Sequence, residues 1–596
     1  MMMALNCPEH RGSSAERRAD ILAYILIALA TFLVFSGSLS NGFLTWDDDV
    51  NFLTNPHYRG LGWANLRWMF TATMVGHYQP LVWLTCAVDY LVWGMNPFGY
   101  HLTNILLHAA NAALFYALAA WFMRRSAVPS SISPRLLAGL AALLFAVHPL
   151  RAESVAWVTE RKDVLSGFFC LWAVYAYLRR HGDEGPSGKK WPVVCWSAFT
   201  MALLSKSMVM TLPAVFIILD FYPLRRLPAE ARRWFGVGYR RIWLEKLPFL
   251  IPAFLVALAE YAGEQKQGAI FVENIFAHCA RASFGLAFYL WKTIWPVHLC
   301  PLYELPVPFD AFAWPFLVSA AVVVCMIAGL LLTYRRWPAI AAAWACYAVT
   351  LAPVLGFVSF GIQLVADRYS YLSCLPWALL AAAGFGWAWR SANAWGRRLL
   401  SLVAILVVVG LARLTWQEVQ VWRDSESLWR YVIALRPGTS VAHNNLGVAL
   451  AAEGKAEEAI AHYLEALRVR PDYADAHCNL GAVLAGQGKL DEAIAQLREA
   501  LRLRPDYDYA HDCWAYALLR SGRLEEAVWH YRESLRIKPD SAEVHGNLGL
   551  VLAGQGKVEE AIAHYREALR IRPDYPEARD NLAAALARQG HLPNSR

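Results

Sequence analysis

The chain has 596 residues, a formal net charge of +8, 57% hydrophobic residues and only 17% charged residues. That length argues against one compact domain, and that balance excludes an ordinary soluble protein, which sits nearer half apolar and a quarter charged. The positive charge does not signal nucleic acid, because much of it lies in short loops such as Arg225 to Arg241, of the kind that mark the cytoplasmic side of a membrane protein.

Arg17 and Arg18 precede the apolar run ILAYILIALATFLVF. The run is long for a cleaved leader and no A-x-A site follows it, so it reads as an uncleaved anchor behind a cytoplasmic tail, residues 1–20. Three carboxylates in a row, Asp47, Asp48 and Asp49 of FLTWDDDVNF, come directly after this first span. Further apolar segments follow at His101–Met123, Leu136–Leu150, Val164–Leu178, Trp191–Leu204, Met208–Phe221 and Leu247–Ala262. Ser283–Trp295, Phe316–Leu332, Ile340–Phe357, Tyr371–Trp389 and Leu399–Leu414 complete twelve candidates within residues 21–415. Basic loops alternate with this pattern only if one late segment does not cross. Ser283–Trp295 is short and carries Lys292, so it is read as an interfacial or re-entrant helix. Eleven crossings then put the C-terminus opposite the cytoplasm. The eleven Cys show no CxxC spacing, and neither metal nor disulfide is predicted.

After a linker and partial repeat at 416–439, the tail is periodic. Leu446, Leu480, Trp514 and Leu548 recur every 34 residues, as do Ala459, Ala493, Ala527 and Ala561, and Pro437, Pro471, Pro505, Pro539 and Pro573. This is the tetratricopeptide signature. The alanines let paired helices approach, and the prolines stop each second helix. Residues 440–596 are therefore read as a solenoid of four full units and a capping helix, whose groove takes peptide or protein. His443, His477, His511 and His545 fall once per repeat, a structural or groove-lining pattern rather than a metal site. The fold class is all-α: a polytopic membrane helical domain followed by an α-solenoid.

The loops placed opposite the cytoplasm collect charge. They carry Asp47, Asp48 and Asp49, then His148, Arg151, Glu153, Glu160, Arg161, Lys162 and Asp163 in HPLRAESVAWVTERKD, Lys206, and Asp367 with Arg368 in ADRYSY. Charge at the edge of a membrane domain is costly and tends to be functional. Carboxylates can take a proton from a hydroxyl, and Arg and Lys can hold a phosphate. The bland reading is that such residues solvate loops or cap helices.

At these residues the chain resembles a known family. WDDDVNFLTNP, HYQPLVWLTCAVDYLVWGMNPFGYHLTNILLHAANAALFY, FAVHPLRAESVAWVTERKDVLSGFF, LLSKSMVMTLP and ADRYSYL are similar to the transmembrane and tetratricopeptide-repeat-containing O-mannosyltransferases and their bacterial relatives. The resemblance implies a GT-C glycosyltransferase with a first exoplasmic loop of about residues 41–100, bearing two surface helices near Leu61–Phe70 and Leu81–Trp93. It implies transfer of mannose from a polyprenyl-phosphate carrier to Ser or Thr of exported proteins. The family's acidic pair falls on Asp47 and Asp48 and its second acidic position on Glu153, with Asp49 an extra. Gln79 stands where the family often has Arg, which removes one phosphate contact.

Asp47 or Asp48, with a slight preference for Asp48, is expected to act as base on the acceptor. Arg161, Lys162, Lys206 and Arg368 would offset the phosphate's charge, and a single displacement implies inversion. His148, Asp163, Asp367 and Gln79 are further site candidates. No cofactor is expected beyond the lipid-linked sugar as co-substrate; a divalent ion on Asp47, Asp48 and Glu153 is the disfavoured alternative. Partners are the lipid-linked sugar, membrane lipid and an exported or membrane protein held by the repeat groove, with no nucleic acid. The expected location is a bacterial inner membrane, the repeats on the exoplasmic (periplasmic) side. A non-enzymatic repeat scaffold on a membrane anchor, and a transporter or flippase, are the competing classes.

Overall fold

A computed structural model describes residues 14–125, 132–182, 190–266, 270–271, 274–306, 308–356, 359–360 and 363–591. Most of the N-terminal tail and the loop 183–189 lie outside them. The chain divides into two compact units, Met1–Leu428 and Trp429–Arg596. Both are helical, and the strands among the described residues are two or three residues long, in two small antiparallel pairs.

The first unit is a multi-pass membrane bundle. Among the described residues, four helices are long and apolar enough to cross a membrane: Ser14–Ser40, Pro97–Arg125, Trp314–Thr333 and Ala394–Val421. Three bent pairs bring the number to seven if each is one span, among them Pro134–Ala146 with Pro149–Ala156, bent by 58°. Shorter apolar helices, including Pro80–Trp93 and Pro338–Val354, add to these. Prolines open several helices, where the missing N–H costs nothing. Arg124 and Arg125 close Pro97–Arg125 and Arg179 to His181 close Arg161–His181, matching the helix dipole and the basic side of the bundle.

Two boundaries differ. The segment read as Ser283–Trp295 begins eight residues earlier, as the 20-residue helix Ile275–Ile294 capped by Asn274, which accepts from Ala277 N–H; it is not one of the helices long and apolar enough to cross. The membrane unit also extends past 415 to Leu428. The last helix runs on to Val421, and its final turns are tied inward, with Thr415 donating to the Val147 carbonyl at 2.7 Å and Val419 fully buried.

The loop after the first span folds onto the bundle through helices Trp63–Thr71 and Pro80–Trp93. Phe52, Tyr58, Met69, Val82, Trp83, Tyr100 and Val158 form one buried cluster beneath it. Helix Arg161–His181 is pinned at both ends. At its far end Tyr177 donates to Asp220 at 2.7 Å, and Asp220 also pairs with Arg226 and Lys246 at 2.7 and 2.8 Å.

The second unit stacks helix pairs Ser440–Ala452 and Ala456–Val469, Ala474–Gly486 and Leu490–Leu503, Asp508–Arg520 and Leu524–Ile537, Ala542–Gly554 and Val558–Ile571, closed by Pro576–His591. Ala459, Ala493, Ala527 and Ala561 are fully buried. At Gly447 an added Cβ would lie 2.6 Å from the Tyr463 ring, so only glycine permits that approach.

The repeated histidines staple each pair. Nε2 of His443, His477, His511 and His545 meets the carbonyl of Pro437, Pro471, Pro505 and Pro539 at 3.0–3.3 Å. Nδ1 then meets His462, Gln496, His530 and His564 on the second helix. Donation to the proline carbonyl leaves Nδ1 as acceptor, so each His–His pair needs a proton on only one facing nitrogen. Protonating both rings sets two donors against each other. Burial lowers His530 from the usual 6.5 to about 4, with His511 adding to the effect. A depressed histidine contributes stability that is complete above the unfolded value and is lost as pH falls from 6.5 towards 4. Calorimetry of the full protein should therefore show the repeat transition falling by ~3 °C or more between pH 7 and pH 5. In His530→Gln the shift should be smaller; an unchanged midpoint in the wild type contradicts this account.

Candidate active site

The first helix ends in a tight turn, Ser36–Ser40, and the chain then rises into the acidic loop. Asp48 is fully buried and spends both oxygens. One accepts from Leu44 N–H at 2.9 Å, the other from Thr159 N–H at 3.2 Å and Thr159 Oγ at 2.6 Å. Asn51 adds a bond to the same hydroxyl at 3.2 Å. Burial pushes the Asp48 carboxyl from 3.8 up to about 7 against the pull of these donors.

Asp47 differs. Its φ of +64° is left-handed, an unfavourable region for a residue with a Cβ. Among the described residues no hydrogen bond or ion pair engages its carboxylate. Burial raises its pKa, and the positive charges of Lys162 and Arg368 oppose that. The Asp49 carboxylate accepts from its neighbour Val50 N–H at 2.8 Å, and its carbonyl accepts from Thr54.

Behind the loop lies a charge network drawn from three segments. Glu160, 1% exposed, meets Lys162 at 3.2 Å, Arg368 at 3.3 Å and Lys206 at 3.7 Å. Lys206 also bonds Asp163, which accepts from Ser154 at 3.0 Å. Arg368 pairs with Glu153 through its guanidinium, and its backbone N–H donates to the same carboxylate at 2.8 Å. Its guanidinium stacks over Trp157 and Tyr369 at 5.7 and 5.1 Å. Three cations thus face three carboxylates, and pairing is what lets them stay buried. For Glu160, burial acts upward, but Lys162, Arg368 and Lys206 together hold it below the ordinary range.

The network lines a small pocket with Asp163, Lys206, Arg368 and Tyr369 in its wall. Cys170, Leu212, Thr350 and Leu372 belong both to this pocket and to an apolar cavity of about 210 Å³ within the bundle. That cavity is walled by Phe115, Leu118, Leu171, Val215 and Leu379. A charged mouth therefore continues into a hydrophobic recess.

Several sequence candidates stand elsewhere. Arg161, expected among the phosphate-binding cations, does not join them. It is fully buried, pairs with Asp89, and donates to Asn104 at 2.9 Å and the Tyr100 carbonyl at 2.8 Å. Consecutive helix residues point about 100° apart, so Arg161 and Lys162 serve different faces. His148 has both ring nitrogens engaged, by Thr293 O at 3.1 Å and Leu150 N–H at 3.3 Å. Arg151 donates to Ser370 at 3.0 Å. Asp367 accepts from Tyr303 at 3.2 Å. Gln79 opens the helix Pro80–Trp93 and is buried, its side-chain oxygen without a hydrogen-bond partner among the described residues. No group of three or more His, Cys, Asp or Glu there converges as metal ligands.

Sequence reasoning missed Thr159, which holds Asp48, and the tryptophans 46, 157 and 422, which stack beside it. It also missed Asp89. A lone carboxylate inside the apolar run CAVDYLVW was the available signal, since such a charge needs a buried partner.

The tetratricopeptide repeat family matches residues 437–506, and TPR repeats match 515–556 and 551–590. The crystal structure of MamA is 22% identical, with a TM-score of 0.23, covering 25% of this chain and 86% of that one. Protein O-mannosyl-transferase Tmtc3 of Drosophila melanogaster is 26% identical over 77% of this chain and 56% of its own length. Protein O-mannosyl-transferase TMTC1 of Homo sapiens is 26% identical over 75% of this chain and 55% of its own. The chain thus spans about half the length of these curated relatives. A match over 77% of the chain is longer than either unit, so it crosses both. The chain is similar, over about three quarters of its length, to proteins named protein O-mannosyl-transferases, and its C-terminal unit matches tetratricopeptide repeats.

Proposed function

We propose that this protein is an integral-membrane glycosyltransferase that moves a sugar, mannose by analogy with its relatives, from a polyprenyl-phosphate donor to Ser or Thr of a protein. The observation that carries this reading is the charged pocket opening into an apolar recess. Such a shape suits an amphiphile whose phosphate meets Arg368 and Lys206, with Lys162 paired to Glu160 behind them, while its hydrocarbon lies among Phe115, Leu118 and Val215. Asp47, whose carboxylate makes no hydrogen bond or ion pair among the described residues and feels the charges of Lys162 and Arg368, is the proposed base for the acceptor hydroxyl. Attack of that oxygen on the anomeric carbon breaks the bond to phosphate, and the hydroxyl proton passes to the carboxylate. A single displacement of this kind inverts the anomeric centre. Departing phosphate is a good leaving group, so the reading takes no metal.

The repeat unit is the proposed holder of the acceptor, raising its concentration at the site. The last helix of the membrane unit ends at the acidic loop's own face, with Gly42 N–H bonded to the Arg423 carbonyl at 2.9 Å. This supports a repeat unit on the exoplasmic side, of a bacterial inner membrane in this proposal.

The test is glycopeptide mass spectrometry of exported and membrane proteins from cells with and without the protein. A hexose on Ser or Thr that vanishes with the protein supports the transferase. Identical glycopeptides in both strains, with the protein well expressed, would return weight to a repeat scaffold.

A further inference from the structure

Trp422 to Asp424 join the last membrane helix to the helix that begins at Ser425, a position where a linker would be expected. The segment is instead bound into the acidic loop. Gly42 N–H donates to the Arg423 carbonyl at 2.9 Å, and Thr45 N–H donates to Ser425 Oγ at 2.8 Å. These two bonds bracket Phe43 and Leu44, and Leu44 N–H is one of the donors on Asp48. The Trp422 side chain is 1% exposed and lies nearly parallel to two other indoles. Its ring centre is 6.5 Å from that of Trp46 and 5.5 Å from that of Trp157, with interplanar angles of 7° and 24°. Trp46 and Trp157 are themselves 4.7 Å apart.

Each indole touches a part of the site. Trp46 immediately precedes Asp47 and its left-handed backbone. Trp157 lies two residues before Thr159, which holds Asp48, and under the guanidinium of Arg368. A non-glycine residue with positive φ persists only where its surroundings over-determine it. Aromatic contacts and backbone bonds from 422–425 supply that constraint.

We infer that Trp422 and Ser425 are positioning residues of the active site, which set the backbone of the acidic loop and through it the carboxylate of Asp47. This rests on the transferase reading for its catalytic consequence and on geometry alone for its structural one. The same segment that leads the chain out of the membrane unit is thereby part of the catalytic geometry.

The experiment uses the full protein in lipid nanodiscs, comparing wild type, Trp422→Ala, Ser425→Ala, Trp422→Phe and Ser425→Thr. Two readouts are taken: hydrogen exchange of amides 42–51, and hexose transfer with kcat and KM for the acceptor separated. Trp422→Ala is expected to speed exchange at 42–51 at least tenfold with 80–93 and 440–591 unchanged. Its kcat is expected to fall at least tenfold with KM within twofold. Trp422→Phe and Ser425→Thr should restore both towards wild type. Unchanged exchange at 42–51 in both alanine variants overturns the inference. If Trp422→Ala exchanges faster everywhere, Ser425→Ala, which removes one acceptor atom, decides the matter. If the wild type transfers no hexose, the transferase reading fails and the exchange data still decide the clasp.

Discussion

Asp47→Asn is expected to cut sugar transfer by about 10²–10⁴-fold while the protein accumulates and folds normally. The reason is the contrast between neighbouring carboxylates. Asp48 is occupied by Leu44 and Thr159, which consume both of its oxygens and build the loop. A base needs a lone pair for the acceptor, and Asp47 has one. The sequence alone slightly favours Asp48; the hydrogen bonds shift the proposal to Asp47. Asp48→Asn should behave differently. An amide NH₂ would face a donor on one side, at a cost of about 1–3 kcal/mol, so this variant should lose folded protein as well as activity. The pH dependence separates them further. Burial raises Asp48 to about 7. A carboxyl raised in the folded state contributes stability that is complete below its unfolded value of 3.8 and is lost as pH rises through 7. Hydrogen exchange at 42–51, corrected for intrinsic rates, should show a firmer loop at pH 5 than at pH 8, and Asp48→Asn should remove the slope. Transfer itself should rise with pH above the ordinary carboxylate range, because a raised Asp47 must first be deprotonated. Full activity in Asp47→Asn would refute its role as base.

The second large effect is expected at Arg368. Arg368→Ala should yield little folded protein, because it leaves Glu153 and Glu160, 3% and 1% exposed, without their guanidinium. Breaking a buried pair by removing one partner costs about 3–5 kcal/mol. Arg368→Lys keeps the charge and should fold, yet transfer should drop by about a hundredfold, the order seen when one transition-state donor is lost. Lysine cannot stack on Trp157 and Tyr369 while forking between a carboxylate and a phosphate. Expression level, thermal midpoint and transfer of the two variants distinguish these outcomes. Near-wild-type transfer by Arg368→Lys would mean that only charge matters there, and the donor site would have to be sought elsewhere.

Much of this architecture was legible in the sequence because it is periodic or compositional. The 34-residue recurrence fixed the helix pairs, their buried alanines and their boundaries, since each repeat meets only its neighbours and local pattern suffices. Apolar runs marked twelve candidate membrane segments, where four to seven helices among the described residues are long and apolar enough to cross. The clustering of charge in loops pointed to one larger group, of which the structure brings Glu153, Glu160, Lys162, Asp163, Lys206 and Arg368 together while Arg161 and His148 turn elsewhere. Only tertiary structure could decide which charge meets which. Arg161 and Lys162 are adjacent in sequence, but the helix turns them to different faces, one to Asp89 and one to Glu160. Asp47 and Asp48 read alike until Thr159, 111 residues away, selects one of them. The side of the last helix's end followed from parity only by setting one segment aside, the helix Ile275–Ile294. Contacts of Arg423 and Ser425 with Gly42 and Thr45 place that end at the acidic loop without any count of crossings. Periodicity reports which face of an element is buried. Partners hundreds of residues apart are chosen by packing, and a single sequence carries no record of that choice.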